Sequence, residues 1–255
     1  MVQNEITELG ELKLIYPKLK TIALIGRGGV GKTKIAKEVA GRLNPKGYYP
    51  FDDGFTEFYK RKPDDTYDIL KVYPDLENLL LFHLHNAHNN KEQFTDLLFE
   101  VRKLSERLLC QKYVQNQLNK NQGVTPDAWV GSLQNDEPTI AENVLIIDSF
   151  TPGRQVLEQV DKIYKITTPT KKMAQQAFIE RIIKLMGDDT PENRKLLWNI
   201  IQMADRVVDD TLSDDLQGLQ FMQYPNDHRK GLAAASNIAT NIVNDYYQLR
   251  AKEIV

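Results

Sequence analysis

Eight residues near the N-terminus constrain this chain more than any others. Gly26-Arg27-Gly28-Gly29-Val30-Gly31-Lys32-Thr33 places four glycines between two strongly patterned segments. Before it, residues 21–26 (TIALIG) form a short apolar, β-branched run ending in glycine, which reads as a buried strand. After it, Ile35, Ala36, Val39, Ala40 and Leu43 recur at helical spacing, so a helix is expected over Lys32–Leu43. Glycines at this density let the backbone curl so that successive N–H groups can face one anion. A helix beginning near Lys32 adds its positive dipole end to the same place.

The rest of the chain repeats the alternation. Asn44-Pro45-Lys46-Gly47 stops the first helix, and Tyr48–Phe51 reads as a second strand ending at Asp52-Asp53-Gly54. Long helices follow from about Asp68 to Asn119, with Phe94, Leu97, Leu98, Val101, Leu104 and Leu108 making one apolar stripe. Residues 119–142, rich in Asn, Gln, Pro and Gly, read as a loop or mobile lid. Strands are expected at 144–148 (VLIID), 162–167 (KIYKIT) and 206–210 (RVVDD). Helices are expected at about 170–186, 191–204 and 231–252, with Thr190 as N-cap and Pro191 as the first helical residue of the second. Strands alternating with helices imply parallel crossovers. The expected fold is therefore α/β, with three layers and a mostly parallel sheet of about five strands. Residues 1–255 read as one domain, with a helical insertion at about 66–120 and a lid at about 170–204.

Composition narrows the setting. The 255 residues carry 33 Lys+Arg against 35 Asp+Glu, so no strongly basic face for nucleic acid is indicated. A single cysteine, Cys110, excludes an internal disulfide framework and a multi-cysteine metal site. No apolar run approaches the roughly 20 residues of a membrane span, and the acidic N-terminal stretch lacks a signal-peptide core. A cytoplasmic protein without a membrane partner is expected.

The eight-residue loop matches G-x-x-x-x-G-K-[ST] at every fixed position. In such a loop Lys32 reaches the β- and γ-phosphates and the Thr33 hydroxyl binds Mg²⁺. Asp148 closes the apolar strand VLIID, where a carboxylate would hold the same Mg²⁺ directly or through water. Together these features resemble the P-loop NTPase superfamily. The resemblance implies binding of Mg·ATP by Gly26, Arg27, Gly28, Gly29, Val30, Gly31, Lys32 and Thr33, with Thr33 and Asp148 as the metal residues. The guanine-reading N-K-x-D pattern is absent from the sequence, which leans the base choice to ATP.

Within that superfamily the chain most resembles small-molecule kinases of the nucleoside, nucleotide and dephospho-coenzyme A type. There an acid after the second strand serves the phosphate acceptor, which points to Asp52 or Asp53. A helical lid carries arginines over the transferred phosphoryl group, which points to Arg181, with Lys184 a turn away and Arg194 as a second candidate. Ala204–Asp209 looks like that family's last strand. The implied function is transfer of the γ-phosphoryl group to a hydroxyl of a small metabolite. A second resemblance is to deviant-loop partition ATPases, whose G-K-G-G-x-G-K-T pattern has lysine where this chain has Arg27. That reading implies an ATP-driven homodimer. Signalling ATPases containing G-x-G-G-V-G-K-T are a third.

Other features carry less. His83 and His85 point about 200° apart on a helix, so with His88 they do not converge on a metal. Cys110 reads as a small core hydrophobe, and Tyr246-Tyr247 as packing residues. Trp129 lies in the polar loop and could stack on a base.

Overall fold

The computed structural model describes residues 8–43, 110, 114, 144–149, 152–186 and 189–251. In chain order its elements are α1 (Leu9–Ile15), β1 (Lys20–Ile25), α2 (Lys32–Leu43), β2 (Val144–Ser149), the short α3 (Arg154–Leu157) and β3 (Lys162–Thr167). They are followed by α4 (Lys171–Met186), α5 (Pro191–Leu216), β4 (Met222–Pro225), a 3-10 turn at His228–Lys230 and α6 (Leu232–Ala251). The four described strands pair in the order β2-β1-β3-β4, every neighbour parallel. The chain is thus α/β with an all-parallel sheet.

Alternation along β1 explains why the sheet is covered on both sides. Ile22 and Leu24 join one apolar cluster with Ile35, Val39 and Leu43 of α2 and Ile238, Ile242 and Tyr246 of α6. Ala23 and Ile25 join a second cluster with Leu9 and Leu12 of α1, Val156 and Leu157 of α3, and Leu212 and Leu216 at the end of α5. Successive side chains of a strand face opposite ways, so a parallel strand needs apolar residues in a continuous run. Leu19 and Ile22 to Ile25 are accordingly all buried. Cys110 is fully buried in the second cluster, as its reading as a small hydrophobe requires. Of the tyrosine pair, Tyr246 packs inside and Tyr247 is 43% exposed.

Two expectations need correction and two elements are new. Residues 206–210 are not a strand. One continuous helix, α5, runs from Pro191 to Leu216, with the Thr190 hydroxyl accepting from the Asn193 amide at 3.2 Å. Leu197, Ile201, Asp205, Val208, Leu212 and Leu216 are all buried. They fall three or four residues apart on one stripe, so the helical period passes straight through the segment. The Val207-Val208 pair had suggested β structure, but a short apolar run cannot separate a strand from a buried helical turn. In its place the edge of the described sheet is β4, four residues ending in Pro225, a residue tolerated at a sheet edge. The N-terminal helix α1 was also not anticipated, and Leu9 and Leu12 bury completely. The strand expected at Tyr48–Phe51, the insertion at 66–120 and the loop at 119–142 lie largely or wholly outside the described residues, as do His83, His85, His88 and Trp129. Among the described residues no helix is long and apolar enough to cross a membrane.

Polar pins join the layers. Asp161 accepts from the Thr21 amide at 2.7 Å, the Thr21 hydroxyl at 2.9 Å and Lys13 Nζ at 3.1 Å, tying α1 and β1 to the start of β3. On the other face, Tyr164 is fully buried and donates to Asp245 Oδ2 at 3.1 Å. Burial first, then the Asp245 charge and hydrogen bond, push its hydroxyl well above the ordinary tyrosine value. The folded chain therefore holds a proton that the unfolded chain releases above about pH 10. Stability from this group is complete below that pH and declines above it, by about 1.4 kcal/mol per pH unit. Urea unfolding between pH 9 and 11 should show a steeper alkaline loss in wild type than in Tyr164→Phe. Equal slopes would exclude Tyr164 as the source.

Candidate functional site

Parallel strands bring their carboxyl ends to one edge of a sheet. β1 lies between β2 and β3, so the connection from β1 departs to one side and the chain later returns on the other. In open α/β sheets the crevice at such a switch point is where ligands bind. This edge collects Gly26 and its loop after β1, Asp148 near the end of β2, Thr167 at the end of β3 and Asn226 after β4. The register sets Asp148 opposite Leu24, two residues before Gly26.

The loop itself is tightly wound. Gly26, Gly29 and Gly31 have positive φ, at 140°, 76° and 88°, and Gly28 and Val30 are buried between them. The Gly31 carbonyl accepts from the Ile35 amide at 3.1 Å, opening α2. Lys32, only 8% exposed, donates from Nζ to the Arg27 carbonyl at 3.0 Å, so its ammonium lies back across the loop. The Thr33 hydroxyl donates to Asp148 Oδ2 at 2.5 Å, and Asp148 is buried. Two residues 115 positions apart thus present adjacent oxygens beside the loop and the helix terminus. Among the described residues, no group of three or more His, Cys, Asp or Glu side chains gathers as a metal cage.

Two neighbours hold the loop from outside. Asn226, 3% exposed, donates from Nδ2 to the Val30 carbonyl at 2.9 Å, and its amide donates to Thr167 O at 2.7 Å. A Cβ on Gly31 would come within 2.6 Å of that Nδ2, so this glycine admits the asparagine as well as the turn. Asn226 Oδ1 has no hydrogen-bond partner among the described residues. On the opposite flank the loop backbone at Gly29 packs against the Ala174 carbonyl and the Phe178 amide of α4.

Arg27 does not extend into solvent. Its Nε donates to Asp209 Oδ1 at 2.6 Å, its Nη2 bonds Asp209 Oδ2, and its Nη1 lies 3.6 Å from Asp205 Oδ2. Lys171 Nζ stands 3.5 Å from Asp209 and 3.9 Å from Asp205, while Gln175 Nε2 donates to Asp205 Oδ2 at 2.7 Å. Burial pushes the Asp205 carboxyl above the ordinary aspartate value. The Gln175 hydrogen bond and the Arg27 and Lys171 charges pull the other way.

Of the remaining expected site residues, only Arg194 has a described side chain. Asp52 and Asp53 lie outside the described residues. Arg181 and Lys184 belong to α4, but their side chains lie outside them too. Arg194 is turned to its own helix pair, donating to Glu180 at 2.8 Å and to Asp189 at 2.5 and 2.8 Å. Sequence reasoning missed Asp205, Asp209, Lys171, Gln175 and Asn226. A signal existed for Lys171 and Gln175, spaced i, i+4 on one face of an expected helix; the same spacing of Asp205 and Asp209 was hidden by the strand expected at 206–210. Asn226 had none. The chain matches no protein-family model and no curated protein.

Proposed function

We propose that the chain is a P-loop kinase that binds Mg·ATP at residues 26–33 and transfers the γ-phosphoryl group to a hydroxyl of a nucleoside- or nucleotide-sized metabolite. The observation that carries this reading is the 2.5 Å pairing of Thr33 and Asp148 beside a positive-φ glycine loop and Lys32. Mg²⁺ suits such a site, because it is held by one or two protein oxygens together with phosphates and water rather than by an all-protein cage. When bound, it would neutralise charge on the β- and γ-phosphates.

The protein's own groups divide the work. Loop amides and the α2 terminus hold phosphate oxygens, and Lys32 leaves the Arg27 carbonyl to join them. Asp148 accepts from Thr33, which sets the two oxygens side by side. Asp52 or Asp53 would orient the acceptor hydroxyl and Arg181 would close over the transferred group, assignments that rest on the kinase resemblance. The kinase resemblance reads residues 170–204 as the lid, and Tyr48–Phe51 would supply a fifth strand. The partition-type alternative needs Arg27 at a neighbouring subunit's nucleotide. Here its fork grips Asp209 of its own chain, so engaging another subunit would require that pair to break.

Incubating the protein with γ-labelled ATP and a panel of nucleosides, nucleotides and other hydroxylated metabolites should give one labelled product. Sedimentation with a non-hydrolysable ATP analogue should show no change in mass. An ATP-dependent dimer abolished by Arg27→Ala, with no labelled product, would replace the kinase by the switch ATPase. Asp148→Asn should raise the Mg²⁺ concentration needed for half-maximal turnover by about 10–100-fold. An unchanged Mg²⁺ dependence would remove Asp148 from the site.

A further inference from the structure

The cluster around Arg27 has an uneven division of chemistry. Three donor side chains, Arg27 from the loop and Lys171 and Gln175 from α4, converge on two carboxylates of α5. The donors lie on the elements that border the loop, where Gly29 touches the α4 backbone. A guanidinium gripping both oxygens of one carboxylate has the geometry with which it grips two oxygens of a phosphoryl group. Asp205 is 7% exposed, and burying a carboxylate is costly even when it is paired, so the cluster is a costly way to join two helices.

We propose, resting on the nucleotide reading above, that Arg27, Lys171 and Gln175 form a second anion subsite beside the loop for phosphoryl oxygens of the bound polyphosphate, and that Asp209 and Asp205 occupy it at rest as internal competitors. With both aspartates ionised, the two positive charges of Arg27 and Lys171 are balanced within the cluster. A polyphosphate on the loop competes for the same donors, and the carboxylates oppose its approach until they are displaced. The subsite thereby couples α5 to occupancy of the loop.

This predicts an unusual sign. Removing a native ion pair should improve ligand binding. In calorimetric titration of the full chain with inorganic pyrophosphate, Asp209→Asn should bind about tenfold more tightly than wild type, the effect of one unit of charge near the site. Adding Arg27→Ala to that variant should abolish the gain. Asp205→Asn, which keeps an acceptor for Gln175, is the second variant should Asp209→Asn lower the melting temperature. Pyrophosphate affinity that is unchanged or weaker in both variants, at unchanged melting temperature, overturns the subsite. Lys32→Ala separates the two levels. If it loses pyrophosphate while the aspartate variants gain nothing, the subsite fails and the loop reading stands. If it binds pyrophosphate as wild type does, the loop reading fails and the subsite with it.

Discussion

Lys32→Ala should lower phosphoryl transfer by on the order of 10²–10³-fold or more, the usual cost of deleting one preorganised group that meets developing charge. The reason lies in where the ammonium sits. It is buried against the loop and bonded to the Arg27 carbonyl at 3.0 Å, within the curl that the glycines make. Truncation also leaves that carbonyl short of a donor, at about 1–3 kcal/mol if no water replaces it. Lys32→Gln is therefore the companion variant, because an amide can still donate to Arg27 but carries no charge. Turnover and urea unfolding measured on both should separate the effects: activity lost in both, and stability lost mainly in Lys32→Ala. Wild-type turnover in Lys32→Gln would remove the lysine from the chemistry.

Gly29→Ala should be severely damaging for a single added methyl. Its φ of 76° is a conformation that L side chains avoid, and a Cβ there would stand 2.2 Å from the Ala174 carbonyl oxygen and 3.0 Å from the Phe178 amide. Those are helix backbone atoms, which cannot rotate aside. Either α4 moves away or the loop unwinds, and both spoil the edge where Lys32 and Thr33 sit. A loss on the order of 2–4 kcal/mol is expected, together with loss of nucleotide binding. Gly41→Ala is the control. Gly41 lies inside α2 with nothing within 4 Å of its added Cβ, and should gain up to about 1 kcal/mol. Unfolding and nucleotide titration of the two variants side by side test the contrast. Equal effects would mean that the α4 contact does not constrain the loop.

Much of the sheet was legible because its signals are local. β1, β2 and β3 are apolar runs closed by glycine or polar residues, and α2 starts where the glycines end and the 3.6-residue period begins. Thr190-Pro191 announced the start of α5 for the same reason: a cap is chemistry between residues three apart. The loop pattern also named Lys32 and Thr33 outright, and a strand ending in Asp pointed to Asp148. The meeting of Thr33 with Asp148 was expected on the family resemblance, and the parallel register of β1 and β2 brings it about.

Other features belong to the assembled molecule alone. Whether Arg206-Val207-Val208 is strand or helix depends on what lies beneath it, and the buried line from Leu197 to Leu216 decides for helix by packing against the rest of the domain. That one outcome also turns Asp205 and Asp209 toward Arg27, and so determines that the loop's arginine is paired within its own chain. The short β4 and the buried Asn226 after it follow from β3 offering a free edge, not from any pattern of their own. Local sequence thus determined the strand, the glycine loop and the helix that could cradle an anion, because those depend on backbone preferences a few residues wide. Tertiary packing decided which distant side chains press on that loop, because burial and charge pairing are settled only when whole faces meet.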